Sequence, residues 1–252
     1  AFTGNKFEFR MLGSSQSIAG PNIALNTIMA QELEEFADIL EQADDFNAAL
    51  SELIQRVFTQ HQRIIFNGNG YEQAWLQEAS RRGLVNLTST ADALPYYTAP
   101  KNVALFTKHG IFSKEELEAR QEIHMENYCT VRTIEATTMI DMIRKDILPA
   151  ASAYAGALFQ RIQLRGGMEG SHYESALATG ISQKTDALMQ ICEQMDRDLK
   201  EAPADMKSKL TYFHGVIEED MTKARQIADE LETMVERKYW PFPTYSDILF
   251  YV

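Results

Sequence analysis

Two long apolar stripes with a single proline between them constrain this chain more than any other feature. In the first, Leu177, Ile181, Leu188, Ile191, Met195 and Leu199 recur at spacings of three, four and seven residues. In the second, Met206, Leu210, Phe213, Ile217, Met221, Ala224, Ile227, Leu231 and Met234 repeat in the same way. An α-helix returns to the same face every ~3.6 residues, so each stripe is one buried side of a long helix. Pro203 separates them. The connection is short, so the two helices fold back on each other as an antiparallel hairpin. The near-heptad register suits close packing, and the methionines fit best as gap-filling core.

The remaining segments are mostly helical in pattern. Pro21 stands at a first helical position, and Leu25, Ile28, Met29, Leu33, Phe36, Ile39 and Leu40 then share one face. A second helix starts after Asp44-Asp45 and ends before Asn67-Gly68-Asn69-Gly70. That glycine cluster lacks the Gly-Lys-Ser/Thr ending of a phosphate loop and the spacing of a dinucleotide fingerprint, so it reads as a turn. A short helix over residues 72–82 is closed by Gly83 at the C′ position, and residues 84–101 form a connector. Ser113 and Glu116 make a capping box that opens a helix running toward Leu148, where Pro149 is expected to kink or break it. The small residues at 150–157 suit the close approach of another helix, and Gly166-Gly167 ends this arm.

Composition narrows the functions open to such a chain. The net charge is −12. Phosphate-binding surfaces need clustered bases, so neither nucleic acid nor an anionic membrane is expected as a partner. Eight acids and no base lie between Asn22 and Gln55; a solvated helix face explains this more simply than a cation-attracting surface. The longest near-apolar run, residues 147–159, falls short of the ~20 residues needed to span a bilayer. Cys129 and Cys192 make neither a metal spacing nor a disulfide framework, which points to a reducing, cytoplasmic setting. The five histidines show no i, i+4 pair. Six aromatics between Tyr239 and Tyr251 make a C-terminal stretch that must dock, either on its own helices or on a neighbouring subunit.

At the other end, Lys6-Phe7-Glu8-Phe9-Arg10-Met11 alternates strictly, the signature of a short strand. Lys6, Glu8 and Arg10 share one face. Two readings fit that row: a charged face meeting water, or three heads that grip an ion and a charged substrate together. The fold class expected from all these patterns is mainly α, a multi-helix bundle with long antiparallel helices, plus this short N-terminal β-strand.

Lys-Phe-Glu-Phe-Arg resembles the Arg-Ile-Glu-Val-Arg strand near the end of the glutamine synthetase catalytic domain. Gly13-Ser14-Ser15-Gln16-Ser17-Ile18-Ala19-Gly20-Pro21-Asn22 and the tail Tyr239-Trp240-Pro241-Phe242-Pro243-Thr244-Tyr245-Ser246-Asp247-Ile248-Leu249-Phe250 resemble the type III class of that family. The resemblance implies the C-terminal part of a longer ATP-dependent ligase. Residues 1–65 would be the end of its catalytic domain, including the strand, and residues 66–252 a helical type III domain. Such enzymes join ammonia to glutamate through γ-glutamyl phosphate. The match makes Glu8 a ligand of Mg²⁺ or Mn²⁺, Arg10 a contact for glutamate or the acyl phosphate, and Lys6 a phosphate contact where other classes carry Arg. Met11-Leu12-Gly13 replaces the usual Phe-Pro-Asp, which leaves the substrate contacts after Arg10 open.

The resemblance also implies glutamate, ammonia and ATP as substrates and a homo-oligomer of stacked rings. The chain alone is expected to be inactive and to bind no cofactor. The alternative is a helical oligomerisation or regulatory domain without chemistry of its own.

Overall fold

The computed structural model describes Gly13, residues 16–167 and residues 171–250. Among the described residues the regular structure is helical throughout. The strand expected at residues 4–11 lies outside them, and no described segment supplies the ladder that such a strand needs for its N–H and C=O groups. The chain forms two compact units, residues 1–119 and residues 120–252.

In the first unit α1 (Ala19–Leu40) packs against α2 (Phe46–Gln60). Asp45 caps α2 by accepting the Ala48 N–H at 3.1 Å, one of the orphan donors of a helix start. The apolar stripe of α1 is there as the sequence predicts, yet Leu25, Ile28, Met29 and Leu33 remain exposed, as do Ile54 and Phe58 on α2. Among the described residues those faces stay uncovered.

The glycine cluster is a turn. The Phe66 ring lies over it and stacks on Trp75 of α3 (Gln73–Arg81) with centroids 4.0 Å apart. A β-carbon at Gly68 would stand 2.6 Å from the Phe66 ring, so the close approach requires glycine there. Arg82 binds the two sides together: it donates to the Ile65 carbonyl at 2.8 Å, pairs with Glu78 at 2.6 Å and lies over Trp75. Gly83 has φ +68° and closes α3 as expected, its N–H donating to the Ser80 carbonyl at 2.9 Å. Two shorter helices follow, α4 (Thr90–Ala93) and α5 (Pro100–Lys108). Lys108 and His109 at the end of α5 reach Gln31 and Glu34 of α1.

The capping box at Ser113 forms as predicted: the Ser113 N–H donates to Glu116 Oε2 at 2.8 Å, and the Glu116 N–H donates to Ser113 Oγ at 3.2 Å. It opens α6 (Lys114–Met142). The helix does not break at Pro149. A π-helical turn at Ile143–Ile147 carries it into α7 (Leu148–Leu164). Proline lacks an N–H and crowds the preceding carbonyls, so the widened turn ahead of it lets the chain stay helical. Gly166 and Gly167, both at positive φ, end α7.

In the second unit α7 packs along α8 (His172–Lys200), with Ala151, Ala155 and Ala178 buried in the seam. These small residues allow the close approach anticipated from the sequence. The second apolar stripe is divided into α9 (Met206–Tyr212), a π-helical turn at Phe213–Ile217 and α10 (Glu218–Met234). α8 and α10 form the antiparallel hairpin. Its register is marked by Lys184 against Glu230 near one end and by Tyr212 and Asp198 near the other. Ile181, Leu188, Cys192 and Met195 of α8 and Phe213, Ile217, Ala224 and Leu231 of the second stripe are all buried. The tail docks in part: the Tyr239 ring meets Tyr154 at 5.2 Å, and the chain ends in a short α11 (Tyr245–Leu249).

Candidate functional site

Lys6, Glu8 and Arg10, the residues singled out from the sequence, lie outside the described residues. Among the described residues no three His, Cys, Asp or Glu side chains converge as a metal-binding group. The described part therefore offers no donor set for the divalent ion that Glu8 is expected to hold. Its distinctive features are a cavity and two polar clusters, all in the second unit.

The cavity has a volume of about 680 Å³, within the range of small-molecule pockets. One wall comes from α6 and the π-helical turn after it, through Ile134, Met139, Met142 and Ile143. α10 supplies Met221, Ala224 and Ala228. The tail supplies Trp240, Phe242, Pro243 and Ile248, with the Trp240 and Phe242 rings edge to face. Pro241 and Pro243 limit the conformations of this segment, which lowers the entropy lost when it docks. Polar groups sit at its margin: Glu135, Arg225, Asp229 and Glu232. Arg225 is already paired with Asp229, so the lining is chiefly apolar.

The first polar cluster centres on Glu218 at the start of α10. Tyr128 donates its phenolic O–H to Glu218 Oε1 at 2.7 Å. Arg132 lies 2.8 Å from the same oxygen and over the Tyr128 ring. His214 Nδ1 is 2.9 Å from Oε2. Burial, and then the neighbouring Glu218 carboxylate, push the Tyr128 phenol well above its usual range. Tyr128 thus stays a neutral donor, and one carboxylate ties α6 to the π-helical turn and to α10.

The second cluster is the pair Asp198 on α8 and Asp220 on α10, both buried. Burial is the main cause that raises Asp220 to about 6, followed by the contact with Asp198. Neither cluster was anticipated from the sequence. The signal was available, because Asp198 follows Met195 by three and Asp220 follows Ile217 by three. An acid on an apolar stripe is a buried acid. Cys129 and Cys192 are buried as well, and burial pushes both thiols up, away from reactivity. No described helix is long and apolar enough to cross a membrane.

Comparison with known proteins identifies the setting of these features. The family described as Glutamine synthetase C-terminal domain matches residues 49–165. The chain is 34% identical to a glutamine synthetase of Butyrivibrio fibrisolvens over 99% of its own length and 37% of the relative's. It is 35% identical to the type-3 glutamine synthetase of Dictyostelium discoideum, again over 99% of this chain and 36% of the relative. A glutamine synthetase of Bacteroides fragilis is 30% identical over the same shares. The chain thus spans little more than a third of the length of these relatives. The domain match over residues 49–165 and the similarity along 99% of the chain match it to the C-terminal portion of the glutamine synthetase family, with a type-3 enzyme among the relatives.

Proposed function

We propose that the chain is part of an ATP-dependent glutamate–ammonia ligase, contributing the last strip of its catalytic domain and a helical C-terminal domain. The observation that carries this reading is similarity to glutamine synthetases along 99% of the chain. Residues 1–65 then belong with the catalytic portion and 66–252 with the helical domain. Glu8 supplies a carboxylate to Mg²⁺ or Mn²⁺, Arg10 binds the glutamate or acyl-phosphate charge through its planar fork, and Lys6 neutralises phosphate. The bound ion supplies charge neutralisation for phosphoryl transfer from ATP.

The exposed faces of α1 and α2 support this assignment. Leu33 and Phe58 are 58% and 63% exposed, with Ile28, Met29 and Ile54 beside them on the same helices. Contiguous apolar surface of this kind marks a contact. It belongs against the rest of a catalytic domain. The test is Glu8→Ala in the full-length, cytoplasmic enzyme, assayed for glutamine formation over a range of Mg²⁺ concentrations. Activity should fall by more than the ~10–100-fold typical of losing an outer-shell partner, with a higher metal requirement. Unchanged metal dependence removes Glu8 from the site.

A scaffold role for the helical domain is favoured by one further observation. Ile248, Leu249 and Phe250 project from the tail at 64%, 70% and 76% exposure. In a homo-oligomer these residues meet a neighbouring subunit. Deleting residues 239–252 from the full-length enzyme should reduce the mass seen by light scattering; an unchanged assembly would assign the tail to its own domain alone.

A further inference from the structure

The hairpin of α8 and α10 buries two carboxyl groups where its stripes call for apolar side chains. Asp198 is 8% exposed and Asp220 is 5% exposed, on helices that pack against each other, and after burial Asp198 is the chief influence on Asp220. Asp198 is held by Gln194, whose amide Nε2 donates to both carboxylate oxygens at 2.9 and 2.8 Å. Arg197 donates to Gln194 Oε1 at 2.9 Å, which fixes the amide with its nitrogen toward Asp198. Asp220 has no comparable donor. Its Oδ2 is sealed from water and without a hydrogen-bond partner among the described groups.

Two ionised carboxylates are acceptors only, and like charges at contact cannot both stay ionised in a buried seam. A single proton resolves both problems, because it turns the contact into an O–H···O⁻ hydrogen bond and removes one charge. We propose that Asp198 and Asp220 share one bound proton, and that this proton clamps the end of α8 to the first turn of α10. On release the proton passes to water, and the pair goes from one negative charge to two.

The surrounding charges fit this assignment. On α10, Glu219 adds negative charge beside Asp220, and Lys223, whose charge acts in the opposite sense, is paired with Glu219 at 2.7 Å. From α9, Tyr212 donates its O–H to the Asp198 backbone carbonyl at 3.1 Å, and burial pushes its phenol up. Glu201, at the end of α8, adds a further negative charge near Tyr212. Tyr128 and Arg132 of α6 are engaged with Glu218, as is His214 of the π-helical turn.

The folded-state affinity of Asp220 for the proton is raised, so its stabilising contribution is complete below the ordinary aspartate range and is lost as pH rises through about 6. The hairpin should therefore tighten as pH falls from about 8 to about 5, a range in which exposed carboxylates hardly titrate.

The experiment is a side-chain carboxyl titration by NMR of the 252-residue chain carrying ¹³C-labelled aspartate, with thermal unfolding of the wild type, Asp220→Asn and Asp198→Asn. An amide at either position supplies the donor permanently. One carboxyl resonance should titrate near pH 6, roughly a hundredfold tighter in proton affinity than free aspartate, and vanish in Asp220→Asn. The unfolding midpoint of the wild type should fall relative to both variants between about pH 5 and pH 8. Titration of every aspartate below about pH 4.5, or parallel midpoint profiles, overturns the proposal. So does a rise in wild-type midpoint at high pH on adding Mg²⁺ or Ca²⁺ that Asp220→Asn abolishes, which would make the pair a cation site. If neither variant folds, the wild-type titration decides alone.

Discussion

The methyl group of Met234 on α10 lies 2.8 Å from the point where a β-carbon on Gly180 of α8 would stand. At this point the hairpin closes on hydrogen rather than on a side chain. The contact is with the free end of a flexible thioether, which can swing aside at little expense. Glycine inside a helix is destabilising by roughly 0.5–1 kcal/mol relative to alanine. Gly180→Ala should therefore raise stability by up to about that amount, measured by urea unfolding. A loss of about 1 kcal/mol or more would mean that Met234 is pinned and the seam is tighter than its flexible end suggests.

The Glu218 cluster is expected to behave as one unit. Tyr128→Phe removes a hydrogen bond to a carboxylate, worth about 1.5–3 kcal/mol when its partner is ionised. Glu218→Gln disturbs the same bond along with the Arg132 pair and the His214 contact. The double variant should lose less than the sum of the two single losses. Strict additivity in urea unfolding would show that Tyr128 and Glu218 act independently.

Acid should loosen the turn around α3 before it loosens the hairpin. Hydrogen bonds from Arg81 and then Arg82 hold Glu78 down to about 2. A carboxylate whose folded-state pKa is depressed stabilises above its unfolded value and stops doing so as pH falls toward the folded one. Between the ordinary carboxylate range and about pH 2 the grip of Arg82 on this turn fades. Trp75, stacked under Phe66 and Arg82, reports the change by its fluorescence. Glu78→Gln should remove that acid transition, and salt should weaken it because both partners are partly open to solvent.

Much of this fold is legible in the sequence because periodicity and capping are local. The stripes around Leu188 and Leu231, the Ser113 box and Gly83 all form as their residues dictate. The continuation of the helix at Pro149 is not legible, because a π-helical turn is a response of the backbone to crowding and leaves no composition signal. The Glu218 and Asp198–Asp220 clusters depend on which helices become neighbours, which spacing alone does not specify. The row Lys6, Glu8 and Arg10 acquires its expected roles from family resemblance, since alternation by itself fits a wet strand equally well.

Burial predicts which leucines matter and in what context. Leu188 is fully buried, and Leu188→Ala should cost about 2–5 kcal/mol in this chain. Leu33 is exposed here, so Leu33→Ala should stay within about 0.5 kcal/mol in the 252-residue chain. In the full-length enzyme the same Leu33→Ala change should cost distinctly more, if α1 packs against the catalytic domain. Equal, negligible effects in both settings would leave the apolar face of α1 without a partner.

The most direct test compares glutamine formation by the 252-residue chain with that by the full-length enzyme, each given glutamate, ammonium, ATP and Mg²⁺. If Glu8 and Arg10 are one strip of a site completed elsewhere in the polypeptide, the full-length enzyme turns over and the 252-residue chain forms no glutamine. Turnover by the 252-residue chain alone would contradict that assignment.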